Sequence, residues 1–283
     1  MSIAAGEANK AVNIKIGIAG IPHSAKGGSS IDGVKKIAEL GLQAMEIEFV
    51  QGVRMSNEMA RELGKVASDL NIDLSAHAPY YINLASTDAL KRKQSAKRIL
   101  DTLERGNEMG AKIIAVHAGY YSGQAPEKTF EIIKAACVDV LDKAKEMGIK
   151  TMLGLESGGK LSAWGRTREL AEMHKQVKGC YPYLDFAHIF ACNNGFIDYA
   201  KVLDKVEVAG IKHVYAHFSG INFTEKGERN HIPMEQGGPD FKSLVKELIK
   251  RKLPATIICE SPELERDALR MKSTLKLIHF QQS

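Results

Sequence analysis

The chain has 283 residues, 44% hydrophobic and 26% charged, with a formal net charge of +5. That is ordinary globular composition, and its mild basicity suits an anionic partner without requiring one. No stretch approaches the roughly 20 apolar residues of a membrane span, and Cys137, Cys180, Cys192 and Cys259 lie far apart with no CxxC pair, which argues against a disulfide framework or a thiolate metal site.

In chain order, residues 1–12 (MSIAAGEANKAV) read as a flexible leader with no signal peptide, which together with the cysteine usage predicts a cytoplasmic protein. Short apolar runs then alternate with longer amphipathic ones. The runs are IKIGIAG (14–20), AMEIEFV (44–50), IDLSAHA (72–78), KIIAVHA (112–118), TMLGLES (151–157), YPYLDFA (181–187), HVYAHFSG (213–220) and ATIICES (255–261). Helical patterns such as SIDGVKKIAELG, NEMARELGKVASDL and PEKTFEIIKAACVDVLDKAKEMG lie between them. Ser30, Ser56 and Ser86-Thr87 are the expected N-caps, and Gly41, Gly110, Gly148 and Gly210 the expected helix stops. Eight βα units over residues 13–283 predict one (β/α)8 TIM barrel, with an open doubly wound sheet as the structural competitor. No GxGxxG follows the first run and no GxxxxGK[ST] occurs, which removes the usual dinucleotide and P-loop readings.

Strand alternation puts Asp73, Ser75 and His77 on the inward side of the third run. It does the same for His117, Glu156, Asp185, His217 and Glu260 at the ends of the five runs that follow. His188 lies just past the sixth run. All sit at the C-terminal mouth, where barrel active sites lie. A lone strand-end histidine is ordinarily a hydrogen-bonded core residue, but six coincident acidic or imidazole ends are costly to bury unless something pairs them. Carboxylate oxygen with neutral imidazole is the mixed ligand set of zinc, manganese or iron. A hydrogen-bonded polar plug is the alternative. Glu46 and Glu48 also point inward, to touch substrate or balance charge, and His23 lies in a loop at the same mouth. His174, His213 and His279 read as structural.

These strand ends resemble the endonuclease IV (AP endonuclease 2) family, built on a xylose-isomerase-like barrel. HAPYYINLAS (77–86) is similar to the family's HAPYLINLA segment, and LDFAHIFA (184–191) to its LDTCHAFAAG signature. AVHAGYYSG, LGLES, VYAHFSG, the NH at 230–231 and IICESP complete a resemblance running from about residue 14 to 271. It implies a DNA repair hydrolase that cleaves the phosphodiester 5′ to abasic sites in double-stranded DNA and leaves a 3′-hydroxyl. It further implies two to three zinc ions (manganese or iron also suit these ligands), a monomer, and catalytic roles for Glu156 and Glu260. By that resemblance His77 and His117 hold one ion, with Glu156 bridging it to a second completed by Asp185, His217 and Glu260. His188 and His231 hold a third. Tyr80 would contact DNA, as would Arg54. One departure stands out: Arg229 occupies the place of a family aspartate. Either Glu228 swings in to replace it, or Arg229 itself holds a phosphate. A sugar isomerase or epimerase on the same barrel, which resembles only the Glu156, Asp185, His217 and Glu260 quartet, is the rival reading. A lesion-binding protein without catalysis is a third.

Overall fold

The computed structural model describes residues 12–282. The expected leader lies outside the described residues apart from Val12. β1 (Ile14–Ala19), β2 (Ala44–Glu48), β3 (Asp73–His77), β4 (Ile113–Val116), β5 (Met152–Glu156), β6 (Cys180–Asp185) and β7 (Val214–Phe218) join β10 (Ala255–Cys259) in a closed barrel. Every barrel pair is parallel, and β1 closes the ring by pairing with both β2 and β10. The fold is therefore the TIM barrel that the alternation predicts. No helix among the described residues is long and apolar enough to cross a membrane.

The alternating side chains divide into two cores. Outward residues such as Ile16, Ile18, Leu74, Ile114, Leu155, Phe218 and Ile257 are buried against the helical ring. Each such side chain contributes about 1.5–3 kcal/mol on leaving water. Inward residues Ile113, Ala115, Tyr183 and Tyr215 form a separate cluster inside the barrel, flanked by Met152 and Tyr181. Below them, at the N-terminal end, Asp73 holds Lys15 at 2.7 Å and Lys112 at 2.8 Å. His213 sits at this end too, with Nε2 2.9 Å from Thr256 Oγ1, so its structural reading is correct.

The helices begin where a side chain accepts orphan amides. α1 (Ser30–Glu39) is capped by Ser29 through a box with Asp32, and α2 (Asn57–Asp69) by Ser56. α3 (Ala89–Glu108) is capped by Asp88, whose Oδ1 accepts from Leu90 and Lys91. The expected caps Ser30 and Ser86-Thr87 are thus each displaced. Ser86 Oγ instead accepts from the Asp88 amide, fixing the capping residue itself. α4 (Pro126–Glu146), α5 (Thr167–Gln176), α6 (Phe186–Cys192), α7 (Tyr199–Val208), α8 (Phe241–Lys250) and α9 (Glu265–Gln282) complete the ring. Gly41, Gly110, Gly148 and Gly210 all follow helix ends at positive φ, as expected. His174 on α5 bonds the Cys180 carbonyl, and His279 lies on α9, so neither reaches the mouth.

The run 213–220 is not one strand. It breaks at Ser219, and β8 (Gly220–Thr224) pairs antiparallel with β9 (Gly227–Ile232) as a separate hairpin over the mouth. The hairpin's register slips between Asn222 and Phe223: Asn222 faces Asn230, whereas Phe223 faces Glu228. Arg229 is therefore the extra, bulged residue. Pair by pair, the facing then alternates so that Glu228 and His231 lie on one side of the ribbon.

Candidate metal centre

The barrel interior delivers its ionisable residues to one depth. His77, His117 and Glu156 offer ligand atoms within 4.8 Å of one another; so do Glu156, Asp185, His217 and Glu260, and so do Asp185, His188 and His231. Glu156 belongs to the first two groups and Asp185 to the last two. The three groups form a chain joined by shared carboxylates.

Glu156 lies at its centre. Its Oε2 is 3.2 Å from His77 Nε2 and 3.4 Å from His117 Nε2, and its Oε1 is 3.1 Å from His217 Nδ1 and 3.4 Å from His188 Nδ1. Burial raises the cost of its charge, but the imidazoles of His117 and His217 hold it well below the usual carboxylate range. Glu260 is pushed the other way. Burial, reinforced by Glu156 and Asp185, raises it well above that range despite His217. Burial works against a charge on His77, yet its hydrogen bond to Glu156 and the nearby Glu48 lift it to about 10. Two carboxylates and an imidazole that share protons this unevenly are a set that a divalent cation can hold by displacing those protons.

The tautomers fit the same purpose. His77 Nδ1 donates to the Ala78 carbonyl at 2.7 Å, so Nε2 faces Glu156. His217 donates through Nε2 to Glu46 Oε1 at 2.6 Å, so Nδ1 faces Glu156 and Glu260. His188 Nδ1 donates to the Ser157 carbonyl at 3.0 Å, and Ser219 Oγ lies 2.5 Å from His231 Nδ1. In each case an outer partner occupies one ring nitrogen and leaves the other free to ligate, the usual arrangement around a bound metal. Asp185 caps α6 through Oδ1, which accepts from the His188 amide at 2.8 Å. Its Oδ2 is buried without a hydrogen bond. It lies 3.1 Å from His188 Nδ1, whose proton goes to the Ser157 carbonyl, so a cation in the ligand groups would satisfy it.

The bulge decides how the hairpin contributes. Glu228 Oε2 lies 3.5 Å from His188 Nε2, and Glu228 Oε1 lies 3.9 Å from His231 Nε2. Gly159 leaves room for this approach: a Cβ there would lie 2.3 Å from Glu228 Oε2 and 2.6 Å from His188 Cδ2. Arg229 is exposed and does not line the cavity, so of the two it is Glu228 that stands beside His188 and His231. The physical reason is the extra residue, which turns Arg229 away.

A cavity of about 470 Å³ opens above the centre. Its wall includes Glu48, Tyr80, Tyr120 and Lys160 together with His77, His117 and Glu260. Tyr80 stands at the rim, 61% exposed, its ring centroid 5.5 Å from that of His77. Arg54, in the β2–α2 loop, is exposed and outside the cavity, as is His23, whose backbone amide bonds Glu265. Glu46 is fully buried and accepts from Ser75 at 2.8 Å and Tyr183 at 2.9 Å besides His217. Of the two roles open to it, Glu46 takes the charge-balancing one. Sequence reasoning misses Lys160, Gly159, Ser157 and Ser219. The two serines follow strand ends directly, so their place after a ligand-bearing strand was the available signal.

A family model described as xylose isomerase-like TIM barrel matches residues 34–278. An uncharacterized protein of Methanocaldococcus jannaschii is 35% identical over 269 residues, spanning 92% of this chain and 96% of that one. A probable endonuclease 4 of Aquifex aeolicus is 24% identical over 258 residues, spanning 85% and 90%. Among solved structures, a D-tagatose 3-epimerase-like protein superposes with a TM-score of 0.74 at 21% identity, covering 95% of this chain and all 100% of its own. Endonuclease IV from Thermus thermophilus superposes at 0.72 and 20% identity, covering 93% and 99%. These two structural likenesses are likenesses of fold.

Proposed function

Because the chain belongs to the xylose isomerase-like TIM barrel family, we propose that it is a metal-dependent apurinic/apyrimidinic endonuclease, hydrolysing the phosphodiester 5′ to abasic sites in double-stranded DNA. The observation that carries this reading is the chain of three ligand groups joined through Glu156 and Asp185. A phosphodiester presents several oxygens whose charge must be balanced at once, and adjoining cation sites suit that task. The relation to a probable endonuclease 4 over most of both chains supports it.

His77, His117 and Glu156 would hold one ion, Glu156, Asp185, His217 and Glu260 a second, and Asp185, His188 and His231 with Glu228 a third. When bound, such ions supply Lewis acidity, lowering the pKa of water and balancing charge on phosphoryl oxygens. The remaining work belongs to the chain. Glu156 sets the spacing of the ligand groups, and Glu260, at the cavity wall, orients the attacking water by accepting its hydrogen bond. Lys160, the cation of the wall, pairs with a phosphate, and Tyr80 supports the distorted backbone at the rim. An abasic nucleotide reaches such a pocket at low cost, because no base must be unpaired.

The test is incision of a duplex carrying one natural abasic residue, with metal content measured on the same preparation. Cleavage on the 5′ side with a 3′-hydroxyl end, lost with chelator and in Glu156→Gln, supports the reading. The quartet Glu156, Asp185, His217 and Glu260, taken alone, favours a sugar epimerase. About one metal per chain and no incision would leave that second reading.

A further inference from the structure

Glu48 is a carboxylate that the ligand groups leave out. It ends β2 beside His77, its partner in the strand register, and it lines the cavity between β1 and β3. It is absent from every ligand group, although it is an acid at the same mouth. Its Oε1 is buried and accepts no hydrogen bond. The acid one step down the strand, Glu46, is by contrast fully engaged by Ser75, Tyr183 and His217. A buried acceptor without a donor is costly, and a donor carried into the cavity by a ligand would satisfy it.

The donor cannot be a phosphodiester, which has none to offer at neutral pH and would be repelled by a carboxylate. Within a nucleic-acid substrate lacking a base, the remaining donors are sugar hydroxyls. An intact abasic residue carries one that no ordinary nucleotide has: the hydroxyl at C1′, where the base was attached. The lysine of the wall, Lys160, sits on the loop after β5, on the other side of the cavity from β2, so phosphate and sugar have separate places to go.

On the endonuclease reading, on which this inference rests, we propose that Glu48 is a specificity-determining residue that accepts a hydrogen bond from the C1′ hydroxyl of the abasic sugar. Sites built to bond a substrate hydroxyl discriminate strongly against an analogue lacking it, because their polar group is then left unpaired. The enzyme therefore distinguishes a natural abasic site from its tetrahydrofuran analogue, which lacks that hydroxyl.

The experiment compares kcat/KM on two duplexes that differ only in that hydroxyl, for the wild type, Glu48→Ala and Glu48→Met, with metal content and thermal melting recorded for each. The expected result is a preference of about tenfold or more for the natural site in the wild type. That preference falls toward one in Glu48→Ala, through loss on the natural site. Glu48→Met, close in volume and without a strong acceptor, reads the same ratio if the alanine variant loses metal or fold. A wild-type ratio near one, or a preference that survives both substitutions, overturns the role of Glu48 while the endonuclease reading stands. Incision of neither duplex by the metal-loaded wild type overturns both together.

Discussion

The imidazole of His217 is clamped between two carboxylates, with Nε2 2.6 Å from Glu46 Oε1 and Nδ1 3.1 Å from Glu156 Oε1. Glu46 thereby fixes which nitrogen of His217 points into the ligand groups. Glu46→Ala removes that acceptor and leaves the Ser75 and Tyr183 hydroxyls unpaired as well. Metal affinity should fall about 10–100-fold, and stability by about 1–3 kcal/mol for each stranded buried donor. Competition with a chromophoric chelator, alongside thermal melting, measures both. Unchanged affinity in a folded Glu46→Ala would show that the clamp does not govern the ligand.

The hairpin contributes Glu228 rather than Arg229. Glu228→Ala should lower the metal content by one ion per chain, whereas Arg229→Ala should leave the number as it is. Gly159→Ala should act like Glu228→Ala, since the added methyl takes the space that the Glu228 carboxylate occupies beside His188. Elemental analysis of purified variants decides. A loss in Arg229→Ala equal to that in Glu228→Ala would contradict the bulged register.

Removal of bound metal should destabilise the fold. Glu156, Asp185 and Glu260 are gathered at one depth with His77 and His217, and without cations they must share protons against burial. One ion held at a hundred times its dissociation constant contributes about 2.7 kcal/mol. For a domain of this size that corresponds to about 5 °C in Tm. Chelation followed by calorimetry should show at least that fall, with recovery on adding zinc or manganese back.

At the opposite end of the barrel, burial depresses His213 to about 4, assisted by Lys112 and Lys15 and opposed by Asp73. A histidine that ionises near 6.5 when unfolded binds more protons unfolded than folded between those values. Its contribution is present above about pH 6.5 and is lost as the pH falls toward 4. Urea midpoints over that interval should therefore drop less steeply in His213→Asn than in the wild type. Parallel curves would assign the acid sensitivity elsewhere.

Two regularities make the barrel legible in the sequence: the inward–outward alternation of side chains along short apolar runs, and the glycines that stop the helices. The same alternation brought His77, His117, Glu156, Asp185, His217 and Glu260 to one depth, because a parallel barrel aligns strand ends. The loops were less readable. The run 213–220 looked continuous because Ser219 and Gly220 carry no strong break signal, and a bulge leaves no mark in composition. Placing Glu228 required the pairing register, which depends on Asn222 and Phe223 across the ribbon. The outer partners Ser157 and Ser219 were hidden for another reason: a serine after a strand is as common in a plain turn as beside a metal ligand.

The ribbon over the mouth also suggests how such a centre changes its chemistry over evolutionary time. Facing in a ribbon is a matter of counting, so the gain of one residue between Asn222 and Phe223 is enough to restore regular pairing. A guanidinium would then be presented where a carboxylate now stands, with no codon substituted in the barrel itself. A cation-binding corner would become an anion-binding one in a single heritable step, leaving the remaining ligands in place.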